Sequence, residues 1–158
     1  MGEGARSPFL YTEHMLLLAA AAEAASHDQL RFGFGSYTQA DQILGAAQGF
    51  DATGTYFFLP WLGARLQIGV NAQLGGALTY PTGPTGDYLP YVMAQVRFGE
   101  DVGPFCTVGP GLTFWRGVVF DGSGGWTFEL GKRVRLSAVG RLGVFYAGVG
   151  AELEFVAM

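Results

Sequence analysis

From Ala64 to Leu74 the chain alternates without a break: Leu66, Ile68, Val70, Ala72 and Leu74 against Arg65, Gln67, Gly69, Asn71 and Gln73. A period of two over this length marks a β-strand, because successive side chains of an extended chain point to opposite faces. The same alternation recurs in Leu30, Phe32 and Phe34 against Arg31, Gly33 and Gly35, and in Phe50, Ala52, Tyr56 and Phe58 against Asp51, Thr53 and Thr55. It recurs again in Val134, Leu136, Ala138 and Leu142 against Arg135, Ser137 and Arg141. Eight strands are predicted, over roughly 28–38, 46–58, 64–78, 88–98, 103–116, 124–130, 134–142 and 145–155. The segments LPWLG, YPTGPTGDY, FGEDVG and FDGSGG read as turns between them. Longer and shorter connections roughly alternate, as in an up-and-down antiparallel barrel.

The pattern leaves open which face meets water. An apolar face turned inward makes a soluble barrel of the lipocalin or avidin kind, with Leu66, Ile68 and Val70 lining a pocket for an apolar small molecule. An apolar face turned outward makes a transmembrane barrel. Composition favours the second. Charged residues are only 14% of the chain where about a quarter is typical, hydrophobic residues are 49%, and mean hydropathy is +0.26. Beyond residue 26 no run of apolar residues is long enough for a membrane helix, so spanning falls to closed strands. Aromatic residues gather near predicted strand ends, in Tyr56, Phe58 and Trp61, in Tyr80, Tyr88 and Tyr91, and in Trp115 and Trp126, as interfacial girdles require.

Register can be read at the end of the chain. A two-residue Gly143–Val144 loop, with Gly at the first central position of a type II′ turn, sets Arg135 opposite Glu152. A Gly131–Arg133 loop sets Glu129 opposite Arg135 on the other side. Glu129, Arg135 and Glu152 are thus expected to form an interior ion row, since charges inside a small barrel must be paired.

The 28–155 span is expected to form one barrel domain, followed by a tail at 156–158 and preceded by a segment over 1–27. Within that segment MLLLAAAAEAASHDQ, from Met15, carries the short apolar run and small-residue boundary of a secretory signal, with cleavage near Ser26; Glu23 leaves a retained helix as the alternative.

Candidate chemistry is sparse. The two histidines, His14 and His27, precede the first strand, so no histidine base is expected on the barrel. Asp41, Asp51, Asp87, Asp101 and Asp121 fall mostly in expected turns, where Asp commonly bonds its own backbone. One cysteine, Cys106, cannot form an internal disulfide and reads as a buried or lipid-facing thiol. Ligand spacings for a metal are missing, no cofactor is expected, and no catalytic residue is assigned. Net charge is −4 with no basic run, which argues against nucleic acid as a partner.

The chain ends in FYAGVGAELEFVAM, in which Phe145, Ala147, Val149, Ala151, Leu153 and Phe155 alternate. This resembles the terminal assembly signal of bacterial outer-membrane proteins, with Val149, Ala151, Leu153 and Phe155 as the matching positions; Val156, Ala157 and Met158 depart from it, since the aromatic is usually last. With the strand count and the GPFCTVGPGLTF strand, the chain resembles the small eight-stranded outer-membrane barrels of the OmpA and OmpX types over residues 28–155. The resemblance implies an all-β, eight-stranded, side-chain-filled transmembrane barrel in the bacterial outer membrane, with a structural, anchoring or adhesion role; that no histidine is expected on the barrel argues against enzymatic activity. The partners that the resemblance implies are outer-membrane lipid and the barrel-assembly machinery.

Overall fold

A computed structural model describes residues 30–41, 45–73, 88–113 and 116–157. The eight strands are β1 (Leu30–Asp41), β2 (Gly45–Leu59), β3 (Leu62–Gln73), β4 (Tyr88–Gly99), β5 (Gly103–Thr113), β6 (Gly117–Gly131), β7 (Val134–Gly143) and β8 (Tyr146–Val156). Each pairs antiparallel with the next, and β8 pairs with β1 to close the barrel. The expected signal segment, and the parts of YPTGPTGDY that include Tyr80 and Asp87, lie outside the described residues, as does Trp115.

Closure needs stagger as well as pairing. The lateral row Thr38, Val149, Gly140, Gly124, Cys106, Phe98, Leu62 starts three residues inside one end of β1 and finishes at the opposite end of β3. At that lower end the connections are short: Pro60–Trp61, Glu100–Val102 and Lys132–Arg133. Leu30 and Val156 lie there too, tied by a bond from the Ala157 amide to the Leu30 carbonyl, 2.9 Å. The other end carries the connections 42–44, 74–87, 114–116 and Val144–Phe145. We call these the turn end and the loop end.

The faces are sorted inside out relative to a soluble protein. Phe34 is 64% exposed, Ile68 53%, Leu142 69% and Val149 70%, while Arg97, Thr127 and Ser137 are at 0% and Glu154 at 1%. Leu66, Ile68 and Val70 therefore do not line an interior pocket; their face is the outer wall, and Arg65, Gln67 and Asn71 take the lumen side. Outward apolar side chains on every strand form a contiguous band, which for a monomer in water is an unusually large exposed apolar surface. In hydrocarbon it is the ordinary surface of a spanning barrel, whose backbone groups are all paired between strands.

Three elements differ from the sequence expectation. FDGSGG is not a turn: Phe120–Gly125 runs through the middle of β6, which begins at Gly117. Asp121 and Ser123 face the lumen with bonding partners there, so polar residues alternating with outward glycines make a strand whose outer face is nearly bare. The turn lies earlier, where Thr113 Oγ1 accepts the Arg116 amide at 3.2 Å and Gly117 adopts φ 70°. Second, β8 continues through Val156, which is inward and buried, so the barrel passes the expected boundary at 155. Third, Tyr91 belongs to the lumen, 3% exposed, whereas Tyr56, Phe58, Trp61 and Trp126 do face outward near strand ends.

Candidate functional site

Inward positions of the eight strands converge on a lumen filled by polar and charged side chains, in two layers. The layer near the turn end is built on arginine. Alternation places Arg31, Arg65, Arg97 and Arg135 inward on β1, β3, β4 and β7, and Glu152 and Glu154 inward on β8. Arg65 Nη2 meets Glu152 Oε2 at 2.6 Å, and the Thr53 hydroxyl donates to the other oxygen of Glu152 at 2.6 Å. Arg97 Nη1 meets Glu154 Oε1 at 2.8 Å, with Arg65 and Arg31 nitrogens at 3.7 and 3.8 Å from the same carboxylate. Arg97 also donates to Thr127 at 3.1 Å, and Thr127 is bonded to Ser137 at 2.9 Å. The flat guanidinium faces use what the carboxylates leave: Arg31 stacks over Phe57 at 4.3 Å and Arg97 over Phe105 at 4.2 Å.

Asp101, in the β4–β5 turn, caps this layer. Its carboxylate bridges Arg31 at 2.5 Å and Arg135 at 2.8 Å, so a turn aspartate serves as a cross-lumen tie. The expectation that the aspartates mostly bond their own turns does not hold for Asp51 and Asp121 either, which are mid-strand, inward and buried.

The layer toward the loop end is built on tyrosine, amides and one arginine. Arg141 contacts Asp121 at 3.4 Å, donates to the Tyr91 hydroxyl at 3.2 Å, and lies over the Tyr37 ring at 4.3 Å. The Tyr37 and Tyr91 hydroxyls bond each other at 2.7 Å. Gln67 donates to Tyr37 at 3.0 Å and to Asp51, and Gln95 donates to Asp121 at 2.8 Å. Glycine makes room for the rings: a Cβ on Gly49 or Gly150 would run into Tyr37, and one on Gly69 into Tyr91.

The expected Glu129, Arg135, Glu152 row is only partly assembled. Glu129 does stand opposite Arg135, with a 3.5 Å contact at the turn end. Glu152 does not: Arg135 stands opposite Glu154, and Glu152 faces Ser137 and bonds Arg65 across the lumen. The cause is the last turn, which uses Val144 and Phe145 rather than Gly143 and Val144. Gly143 is not among the glycines with the positive φ that a type II′ turn needs. It instead lies under the Tyr146 ring, where a side chain would collide. Moving the turn by one residue slides the register by two, so each side chain keeps its face while the partners change. Val149, Ala151, Leu153 and Phe155, the positions resembling an assembly signal, alternate along the outer face of β8.

Arg31, Arg65, Arg97, Arg141, Asp51, Asp101, Asp121 and Glu154 are network members that the sequence expectation does not include. One signal was available: all five of the strand arginines fall on the polar parity of an alternating strand. Their cross-lumen partners had no such signal, because they come from strands far apart in the chain.

No protein-family model matches the sequence, and no curated protein sequence matches it. Among solved structures the chain is similar to a de novo designed transmembrane β-barrel, with TM-score 0.59 and 10% identity over 80% of this chain and 95% of that one. It is similar also to the designed barrel TMB2.3 in a solution NMR structure, with TM-score 0.54 and 10% identity over 82% and 96%. Neisserial surface protein A is a third, with TM-score 0.50 and 13% identity over 81% and 96%. These likenesses show the fold, a closed eight-stranded barrel of the transmembrane type.

Proposed function

We propose that the chain is a bacterial outer-membrane barrel with a structural, anchoring or adhesion role and no catalytic activity. The observation that carries this reading is the sorting of its faces: large apolar side chains point out on every strand, and ion pairs fill the lumen. Such a wall is stable in a lipid phase, and a lumen crossed by arginine–carboxylate pairs is a filled interior rather than an open channel. The β8 positions Val149, Ala151, Leu153 and Phe155 serve as the signal read by the assembly machinery, on the strength of their resemblance to such signals.

Expression in a bacterium with an outer membrane tests this reading. The protein is expected in the outer-membrane fraction, extractable only with detergent, and to migrate faster on electrophoresis before heating than after it. Vesicles containing it are expected to retain small solutes. Recovery in the aqueous fraction, or rapid leakage of solutes, would overturn the proposal.

A further inference from the structure

On the loop-end side of the Tyr37–Tyr91 pair the lumen holds a small cavity of about 30 Å³, walled by side chains of β1, β3, β4, β5, β6, β7 and β8. Register explains why it is there. Gln39 of β1 and Arg141 of β7 both stand opposite Gly148 of β8, so two inward side chains flank an inward position that has none. A Cβ on Gly148 would press on the Gln39 Cβ and the Thr38 carbonyl oxygen, at 2.9 and 3.0 Å, which holds the position bare. Tyr146, the next inward residue of β8 toward the loop end, lays its ring over Gly143 and walls the cavity on that side.

Three donors on this wall have no acceptor. Gln39 and Arg141 are each 3% exposed. Gln39 Nε2, Arg141 Nε and the Tyr146 hydroxyl are buried without a hydrogen-bond partner. The other two nitrogens of Arg141 are engaged, Nη1 with the Tyr91 hydroxyl at 3.2 Å and Nη2 with Met93 Sδ and Asp121, both at 3.4 Å. The one unpartnered acceptor on the wall, Asn71 Oδ1, is turned toward Gly49, 2.8 Å from where a Cβ would stand. Among the described residues that line the cavity there are two arginines, Arg116 and Arg141, and no carboxylate. The acids of the layer below hold other partners, Asp51 with Gln67 and Asp121 with Gln95 and Arg141. Buried donors left without an acceptor are costly, so this wall is built for an occupant that accepts.

We infer that this cavity is a binding site for a single halide-sized anion, such as chloride, which accepts hydrogen bonds from Gln39 Nε2, Arg141 Nε and the Tyr146 hydroxyl. An anion takes several N–H and O–H bonds and brings no proton of its own. A water brings two protons that need acceptors, and the wall offers one unpartnered acceptor, Asn71 Oδ1. Size sets the class of anion: the cavity has room for about two waters, enough for a monatomic ion and too little for phosphate or sulfate. The bond from Arg141 is charge-assisted at the donor and the acceptor, the stronger kind. The inference rests on the closed lumen and is independent of whether the barrel anchors, adheres or has a purely structural role.

Two measurements on the full chain test this. Crystals grown in sodium bromide locate the ion by its anomalous scattering, and one peak is expected in the lumen within hydrogen-bonding distance of Gln39, Arg141 and Tyr146. Affinity is read from urea unfolding in lipid vesicles, with sodium chloride replacing sodium gluconate at constant total salt. Once chloride exceeds its dissociation constant, the apparent unfolding constant is expected to fall about tenfold for each tenfold rise in chloride, the linkage of one ion bound only by the folded state. Gln39→Leu and Tyr146→Phe each remove one donor to the ion and are expected to move the onset to at least about tenfold higher chloride. Tyr146→Phe keeps the ring over Gly143, and a mobility shift on heating confirms that each variant is folded. Gln48→Leu, whose amide bonds Ser36 outside this cavity, is expected to leave the onset where it is in the parent. Lumen density without anomalous signal would assign the cavity to water and overturn the inference. So would a chloride dependence that both donor variants leave unchanged, or competition by phosphate, which would place the ion on an open basic surface.

Discussion

Removing Glu154 is the sharpest test of the lumen network. Its carboxylate, 1% exposed, lies 2.8 Å from Arg97 and within 3.8 Å of Arg65 and Arg31. Arg65 has a second carboxylate in Glu152 at 2.6 Å and Arg31 has Asp101 at 2.5 Å, but Arg97 has none at such distance among the bonds described. Glu154→Leu therefore strands a fully buried guanidinium with Thr127 and the Phe105 and Phe57 rings but no carboxylate at bonding distance, and should cost about 3–5 kcal/mol. With a urea slope of about 2 kcal/mol per molar, the unfolding midpoint falls by about 2 M. Arg97→Met is milder, about 1.5–3 kcal/mol, because Glu154 keeps two other cations nearby. In the double variant each remaining arginine retains its own carboxylate, so the pair together should cost less than Glu154→Leu alone. The assay is reversible urea unfolding in lipid vesicles, followed by tryptophan fluorescence with the slope checked for constancy. Additive losses, or a milder effect for Glu154→Leu than for Arg97→Met, would refute the assignment of Glu154 as the carboxylate Arg97 depends on.

Other expectations follow from the same geometry. Val70→Arg puts a charge on the outer wall and should lower folding free energy into vesicles by about 2–4 kcal/mol more than Asn71→Arg, which enters the polar lumen; urea titration ranks the two. Gly150→Ala should destabilise by about 1–3 kcal/mol, because its Cβ meets the Ser36 carbonyl and Tyr37, whereas outward Gly140→Ala should be nearly silent in the same titration. Arg135→Leu should cost less than Glu154→Leu, because Asp101 retains Arg31 at 2.5 Å; equal midpoints would show that Arg135 carries more of the turn-end layer than this geometry assigns to it.

The strands were legible because alternation is a local property. Leu66 to Val70 and Phe32 to Phe34 announce one apolar face, and Arg65 and Arg31 beside them the opposite polar face, without reference to any other part of the chain; which face is outside took the composition of the whole chain to decide. Register was harder. Gly143 offered turn chemistry but is used to seat the Tyr146 ring, and the partner of Arg135 shifts from Glu152 to Glu154 with no change of face. FDGSGG misled for a related reason: glycines on an outward face that need not pack against anything look like a turn when only composition is read. Contacts such as Thr53 with Glu152, 99 residues apart, depend on barrel closure and stagger, which no short window contains.

Whether the apolar wall faces lipid can be read at the single cysteine. Cys106 is exposed on the outer face of β5, in the row between Gly124 and Phe98. A spin label on this thiol, in protein folded into vesicles, reports collisions with oxygen, which concentrates in hydrocarbon, and with a water-soluble nickel chelate. A lipid-facing wall gives high oxygen accessibility with nickel accessibility near zero. Nickel accessibility at the level of a label in water would place this wall in solvent and refute the transmembrane reading.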